Sequence, residues 1–255
     1  MISEGMNTGA GIWSEPVRFH SYDVDFKRRA MLAAVCRYFL EAAWNHAEQL
    51  GVGYTHLAKE GRFWVLSRLL VKVERFPGWG EEAGLNTWPR QPKGVFALRD
   101  FELVDASRRR MVSGVSAWLV LDAKTRRPQR LERLKWRLKS FPEARAVDRE
   151  PEKMKEHAGG TEVFQTAVRY GDLDVNDHVN STVYIKWLMD SYAPEFYRQN
   201  RVKLLEVNYL GETRAGDEVS VSVTPGPALV FRHTLAKASG EEVCRARVEW
   251  VGEAG

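Results

Sequence analysis

A group of polar side chains near residue 175 could act on a carbonyl group. Asp174, Asn176 and His178 occupy alternate positions within residues 172–180, which read DLDVNDHVN. If this segment is extended, side chains two residues apart face the same space. A carboxylate raises the basicity of an imidazole, and an amide donates to a carbonyl oxygen or a water. The group predicts an active site, against the simpler interpretation that Asp174 and Asn176 cap a helix and His178 is structural.

The residues that follow predict an amphipathic helix over 181–192, which would position this group. Apolar residues recur there at three- and four-residue spacing, including Tyr184, Trp187 and Leu188. The start of a helix has free N–H groups and the positive end of its dipole. We therefore expect the polar group, aided by a backbone N–H, to face an oxygen that gains negative charge.

The chain repeats one order of elements, which are a strand, a helix and four strands. The predicted strands are 17–24, 63–76, 82–89, 95–105 and 111–122 in the first half, and 162–170, 202–209, 218–224, 230–238 and 242–251 in the second. The first helix is predicted over residues 31–50. Residues 80–89 and 216–225 also match as a turn followed by an alternating strand that stops at proline. The repeat predicts two like α+β domains, each an antiparallel sheet wrapped around a helix.

The predicted boundaries are an N-terminal domain at 13–124, a basic linker at 125–160 and a C-terminal domain at 161–252. The linker is rich in Lys, Arg and Glu and is interrupted by three prolines. In the first half, residues 26–32 precede the helix and offer no carboxylate–amide–imidazole set. We therefore expect the chemistry in the second domain and no equivalent of the catalytic turn in the first.

Composition narrows the class of protein. Apolar residues make up 44% of 255 residues, and the net charge is +4, so a large core is expected and nucleic-acid binding is not. We expect no membrane span, because no apolar run of about 18 residues occurs. We expect no signal peptide, because residues 1–13 are Gly-rich, include the acidic Glu4 and contain no apolar run. Cys36 and Cys244 lie far apart in apolar patterns and are expected to be buried free thiols in a reducing cytoplasm.

Several familiar chemistries lack their motifs in this sequence. No Cys or His spacing suits zinc, no Gly-x-Ser-x-Gly elbow occurs, and Gly78-Trp-Gly80 is not followed by the lysine of a phosphate loop. Glu212 ends a predicted strand just before a turn, where a glutamate is ordinarily a solvated charge. Its spacing alone predicts no catalytic role.

An ordered series of short matches makes the chain similar to the acyl-acyl carrier protein thioesterases, plant and bacterial enzymes that release fatty acids from their carrier. The matches cover about 17–251 and are Asn45-His46, 64–68, 75–80, Thr87-Trp88, Arg99-Asp100, 116–118, 124–127, 172–180 with Tyr184 and Trp187, and Glu212. The resemblance implies a tandem double hot-dog fold. It also implies catalytic roles for Asp174, Asn176, His178 and Glu212. Thr213 stands where the plant enzymes often have a cysteine, which favours a carboxylate mechanism without metal or organic cofactor.

The activity implied by the resemblance is hydrolysis of an acyl thioester on the phosphopantetheine arm of acyl carrier protein. Glu212 would activate or position the water, Asn176 and His178 would hold it or the carbonyl, and Asp174 would orient both. Attack by a carboxylate through an anhydride stays open, as does a homodimer. The basic run 126–137 could dock the acidic carrier, or it is a solvated linker. Val35, Phe39 and Ala43 could line the acyl pocket, or simply pack the core.

Three alternatives remain beside this interpretation. An acyl-CoA thioesterase of the same fold would use the same chemistry on a different carrier. A hot-dog hydroxyacyl dehydratase would use a histidine with an Asp or Glu. A silent acyl-binding module is disfavoured because all four polar residues are present.

Overall fold

Two units, each built of antiparallel strands and a helix, make up the protein. The computed structural model describes residues 6–8, 11–92, 94–131, 143–157 and 159–253. One unit comprises residues 1–67 and 73–150, and the other comprises residues 68–72 and 151–255. The division along the chain therefore falls at 150/151, inside the segment predicted as the linker.

In the part of the chain that the structure describes, the first unit contains six strands and two helices. The strands are β1 (Met6–Thr8), β2 (Ile12–Arg18), β3 (Arg62–Val73), β4 (Glu82–Pro89), β5 (Ala97–Val104) and β6 (Arg110–Asp122). The helices are α1 (Leu32–Gln49) and α2 (Tyr54–Lys59). The strands lie in the order β1-β2-β4-β5-β6-β3, and residues 68–72 of β3 belong to the second unit.

The apolar face of α1 builds the core of the first unit. Val35, Phe39 and Ala43 are all buried, as their three- and four-residue spacing predicts. The ring of Phe39 stacks on Phe101 of β5 with centroids 4.9 Å apart. Cys36, on the same helix, is a buried free thiol, and burial raises its pKa to about 12. The first helix is therefore a core helix with an unreactive thiol.

The second unit repeats this plan. Its strands are β7 (Thr161–Ala167), β8 (Asn200–Tyr209), β9 (Glu218–Pro225), β10 (Val230–Lys237) and β11 (Glu242–Gly252), and its helices are α3 (Ser181–Asp190) and α4 (Pro194–Gln199). From residues 68–72 of β3 the order continues β8-β11-β10-β9-β7. Arg68 pairs with Asn208 and Lys72 with Leu204 in antiparallel register. Each unit is thus an antiparallel sheet with one principal helix, as predicted.

Aromatic side chains fill the end of the second core where α3 stops. The Tyr192 ring packs edge-on against Trp250 and Phe231, with centroids 4.6 and 5.4 Å away. His233 of β10 lies 5.5 Å from the same ring and is fully buried, with Nε2 3.3 Å from the Ser191 hydroxyl. Burial lowers the pKa of His233 to about 3, so the imidazole is neutral at physiological pH.

Described parts of the predicted linker are fastened to the strands. Asp100 is fully buried, accepts two bonds from Arg90 at 2.5 and 2.6 Å, and also accepts the Ala146 N–H at 3.0 Å. In the second unit, Asn208 accepts the Met154 N–H and donates to the Glu152 carbonyl. These bonds satisfy buried polar groups with the backbone of the segment. Residues 132–142 and 158 of the predicted linker lie outside the described residues.

Most predicted strands agree with the structure, while the ends of the first strands and the short helices differ. The strand predicted over 17–24 overlaps β2 only at residues 17 and 18, because β2 ends at Arg18 and residues 21–23 form a 3-10 turn. Residues 170–172 likewise form a 3-10 turn after β7. The helices α2 and α4 have only six residues each, too short for a clear period. No helix within the described residues is long and apolar enough to span a bilayer.

We predict that acid destabilises the protein, because His46 and His233 are buried. Burial, assisted for His46 by Arg99, holds the pKa of both His46 and His233 at about 3. In the unfolded chain each histidine would titrate near 6.5, so the stability gained from keeping it neutral is complete above that pH and is lost as the pH falls. Protonation of each histidine in the unfolded chain lowers the free energy of unfolding by about 2 kcal/mol between pH 7 and pH 5. His233→Phe should reduce this loss, measured by denaturant unfolding at both pH values.

The control for this prediction is the exposed His56, substituted by glutamine. His56→Gln should keep the wild-type loss of stability between pH 7 and pH 5. An equal loss in the wild-type protein and His233→Phe would contradict the assignment of the acid dependence to His233.

Candidate active site

The segment before α3 is a tight turn. The Asp174 N–H donates to the His178 carbonyl at 2.8 Å, and the Asp177 N–H donates to the Asp174 carbonyl at 3.1 Å. Asp177 has a φ of 60°, in the left-handed region that Asp tolerates better than most residues. The extended geometry expected from the sequence is therefore wrong here, because these bonds fold residues 174–178 back on themselves.

The aspartates of the turn bind backbone N–H groups. Oδ1 of Asp174 accepts the Asn176 N–H at 2.8 Å, and Oδ2 of Asp172 accepts the Arg169 N–H at 2.8 Å. Side-chain acceptance from a residue two positions on is the bond of an Asx-turn. Asp174 therefore acts on Asn176 through the backbone, while the Asn176 side chain is exposed.

The helix α3 is capped by Asn180, and neither Asp174 nor Asn176 is its cap. The Asn180 side chain accepts from the Thr182 N–H at 2.9 Å and from its hydroxyl at 2.8 Å. Around the start of α3, four backbone N–H groups already donate to acceptors of the protein, namely those of Val179, Asn180, Thr182 and Val183. The expected oxyanion donor from the start of the helix is therefore not one of these four.

The turn brings His178 beside Glu212. Nε2 of His178 lies 3.2 Å from Oε2 of Glu212, and the two side chains are 18% and 34% exposed. Nε2 is shielded from solvent and has no hydrogen-bond partner among the described residues. Its contact with Glu212 has the distance of an ion pair but not the geometry of a hydrogen bond. A partly shielded carboxylate–imidazole pair can take up or hold a proton. Of the four predicted residues, these two side chains are brought into contact.

The loop that carries Glu212 is held by its neighbour Thr213. The Thr213 carbonyl accepts the Val179 N–H at 2.9 Å, and its hydroxyl lies 2.7 Å from the hydroxyl of Tyr184 on α3. Both side chains are buried, and burial raises the pKa of Tyr184 to about 12, so its phenol stays protonated. These bonds fix the spacing between His178 and Glu212. The sequence indicated Tyr184 as a core residue and a match to the family, and Thr213 as the position of a cysteine in the plant enzymes, but it predicted no contact between them.

The first unit contains the same turn in its backbone, contrary to the sequence prediction. The Asp25 N–H donates to the Arg29 carbonyl at 2.8 Å, and the Asp25 carboxylate accepts the Lys27 N–H at 2.8 Å. Arg28 has a φ of 59°, and the Ala30 N–H donates to the Pro77 carbonyl at 2.8 Å. The second unit has the same features in the same order. The Asp174 N–H donates to the His178 carbonyl, the Asp174 carboxylate accepts the Asn176 N–H, and Asp177 has the positive φ. The bond of Ala30 to Pro77 corresponds to that of Val179 to Thr213.

The chemistry of the second turn is absent from the first. Lys27, Arg29 and Phe76 occupy the positions of Asn176, His178 and Glu212. The set predicted to be missing is indeed missing, but the turn itself is not. The signal in the sequence is Asp23-Val-Asp25, which repeats Asp172-Leu-Asp174 at the same distance before a helix. The sequence prediction missed this repeat because it compared the reactive residues, which differ between the two turns, and not the aspartates that support both turns.

Other reactive groups of the described chain do not extend this site. Burial raises the pKa of Cys244, so this buried thiol, like Cys36, is protonated at neutral pH. Within the described ranges, no three His, Cys, Asp or Glu side chains are grouped as ligands of a metal ion would be. The reactive groups assembled by the structure are therefore the imidazole and carboxylate of His178 and Glu212.

Sequence comparisons match the chain to acyl-ACP thioesterases. The profile of the acyl-ACP thioesterase N-terminal domain matches residues 13–133, and that of the C-terminal domain matches residues 155–252. An acyl-[acyl-carrier-protein] hydrolase of Cuphea viscosissima is 28% identical over 90% of this chain and 60% of its own length. A dodecanoyl-[acyl-carrier-protein] hydrolase of Cinnamomum camphora is 27% identical over 90% of this chain and 65% of its own length. The chain thus spans about 60% of the length of these curated relatives.

Solved structures show the same fold. An acyl-ACP thioesterase from Bacteroides thetaiotaomicron superposes with a TM-score of 0.87 at 26% identity, covering 94% of this chain and 98% of that one. A 12:0-ACP thioesterase from Umbellularia californica gives a TM-score of 0.87 at 24% identity, covering 97% and 100%. The predicted tandem double hot-dog fold is confirmed by these neighbours. With both domain profiles matched in order, the chain belongs to the acyl-ACP thioesterase family.

Proposed function

We propose that this protein hydrolyses fatty acyl thioesters carried on the phosphopantetheine arm of acyl carrier protein, releasing free fatty acid. The observation that carries the proposal is the contact of His178 with Glu212 at 3.2 Å, on two loops joined by a backbone hydrogen bond. Membership of the acyl-ACP thioesterase family supplies the class of substrate. The site residues are Asp174, Asn176, His178 and Glu212.

The reaction adds water to the thioester carbonyl and breaks the carbon–sulfur bond. The Glu212 carboxylate accepts a proton from the attacking water, whose oxygen bonds to the carbonyl carbon. The thiolate of the phosphopantetheine arm leaves and takes up that proton, which returns the carboxylate to its starting state. Water supplies the oxygen of the released acid and the proton of the released thiol, so the reaction needs no further co-reactant.

The neighbouring residues have separate roles in this route. His178 is held against Glu212 and, with the exposed amide of Asn176, presents donors to the carbonyl oxygen as it becomes an oxyanion. Asp174 is a positioning residue, because its carboxylate binds the Asn176 N–H and shapes the turn. Thr213 and Tyr184 position Glu212 through their hydroxyl contact.

Loss of either member of the pair should collapse hydrolysis. Glu212→Gln removes the base and should lower kcat about 10²–10⁴-fold, and His178→Ala should lower it about 10²–10³-fold. The measurement is release of free thiol from a panel of acyl carrier protein and CoA thioesters of increasing chain length. Faster turnover of the carrier thioesters would support the proposed carrier over CoA.

The matched control is Glu218→Gln, because Glu218 is exposed at the start of β9. It should keep wild-type kcat. Wild-type rates in Glu212→Gln and His178→Ala would disprove the site assignment. If the wild-type protein hydrolyses no thioester, the function fails, and dehydration of a hydroxyacyl thioester becomes the next assay.

The hydroxyl contact behind Glu212 predicts a graded effect on turnover. Thr213→Val removes the partner of Tyr184 and should lower kcat about tenfold while KM stays within about twofold, since misplacing a base weakens the transition state. Thr213→Ser restores the hydroxyl and should recover most of kcat. Circular dichroism melting would confirm that both variants fold. Equal kcat in the two variants would show that the hydroxyl has no positioning role.

Cellular location and assembly remain predictions. The cytoplasmic location expected from the sequence is testable by cell fractionation. The homodimer left open by the sequence is testable by sedimentation equilibrium.

A further inference from the structure

The turn of the first unit keeps the backbone of the catalytic turn but has a different surface. Residues 172–178 contain three aspartates and no lysine or arginine, whereas residues 23–29 contain two aspartates followed by Lys27, Arg28 and Arg29. Asp23 of the first turn is buried and Asp25 is half-buried. Asp23 is 1% exposed and accepts from His20 and Tyr38, while Asp25 accepts the N–H groups of Lys27 and Arg29. Residues 23–29 therefore have a net charge of +1, with Arg28 exposed and Lys27 half-buried, whereas residues 172–178 have a net charge of −3 with histidine neutral.

Large apolar side chains are also exposed at this turn. Eleven such residues are exposed in the described chain, and four of them lie on the turn, its flanks or the loop bonded to it: Tyr22 at 70%, Phe26 at 55%, Met31 at 41% and Trp79 at 57%. The Trp79 N–H donates to the Arg28 carbonyl at 2.9 Å, which fixes the loop against the turn. Exposed aromatic residues grouped with arginine are the composition of a protein-binding surface.

Arg28 is itself an unexpected residue at its position. Its φ of 59° is the left-handed conformation that Asp177 adopts in the second turn. Gly, Asn and Asp adopt this conformation at lower cost than a long side chain does. The guanidinium of Arg28 lies 5.9 Å from the centroid of the Trp79 ring, within the range of a cation–π contact. The strain of this position is therefore accompanied by an exposed cation–aromatic pair.

We propose that the surface formed by Tyr22, Phe26, Lys27, Arg28 and Trp79 docks the acyl carrier protein. This inference rests on the proposed function, which requires a protein-bound substrate. Acyl carrier proteins are acidic, so their charge complements this basic turn and opposes the acidic turn that contains Asp174. The repeat thus has one copy of the turn for chemistry and one for recognition of the carrier.

The second turn supplies the substitutions that test this surface. Lys27→Asn with Arg28→Asp gives the first turn the residues of Asn176 and Asp177, which the same backbone already accommodates. With acyl carrier protein thioesters, kcat/KM should fall at least tenfold, mainly through KM, and its dependence on salt should weaken. With an N-acetylcysteamine thioester of the same acyl chain, which has no protein part, kcat/KM should stay unchanged. Trp79→Ser should show the same selective loss.

The control pair makes the same change of charge elsewhere. Lys203→Gln with Arg232→Glu alters two exposed cations of the second unit and should leave kcat/KM for both substrates unchanged. An unchanged kcat/KM with carrier thioesters in the Lys27 and Arg28 variant would overturn the proposal. So would a selective loss confined to Arg127→Glu with Arg130→Glu, since docking would then belong to the basic linker.

A binding measurement separates this proposal from the proposed function. Calorimetric titration of wild-type protein with holo acyl carrier protein should give a Kd that rises at least tenfold in the Lys27 and Arg28 variant. If wild type hydrolyses no thioester but this difference persists, the function fails and the docking surface stands. If hydrolysis proceeds and both proteins bind the carrier equally, the docking surface fails and the function stands.

Discussion

The site depends on one backbone hydrogen bond, from the Val179 N–H to the Thr213 carbonyl. It joins the turn before α3 to the loop after β8, two segments that are far apart in the chain. His178 precedes one end of this bond and Glu212 precedes the other, so the bond sets their side chains 3.2 Å apart. A backbone bond is suited to this task because it holds position without using a side chain. The buried contact between Thr213 and Tyr184 then fixes the same loop to the helix.

The repeat shows that this constraint does not depend on the chemistry, because the same bond is present with and without a reactive pair. Ala30 and Pro77 form the same bond in the first unit, and Asp25 supports the turn as Asp174 does. Gly80 and Gly216 both have positive φ, at 77° and 86°, where each loop turns back to its strand. The framework is therefore separable from its function: the same bonds support a carboxylate–imidazole pair in one unit and a basic, aromatic surface in the other.

Prediction from the sequence succeeded where periodicity is strong. The long strands and α1 alternate or repeat in a way that buries one face, so their apolar pattern indicates both type and position. It failed at residues 19–24 and 168–170, which lie beyond the ends of β2 and β7, where a carboxylate that binds a backbone N–H begins a turn. An aspartate involved in such a bond has no spacing that distinguishes it from an exposed one. The same ambiguity led to the extended geometry proposed for Asp174, Asn176 and His178.

The sequence by itself determined the repeated α+β plan, the resemblance to the family and the residue types at the site, because these depend on composition, period and local order. Tertiary structure alone decided which of those residues meet. His178 and Glu212 are 34 positions apart, and no local pattern reports a contact that depends on how β8 and α3 lie within one unit. It also decided that residues 23–31 repeat the turn at 172–180, since most of the matching hydrogen bonds join backbone atoms and the two segments share only their paired aspartates in sequence.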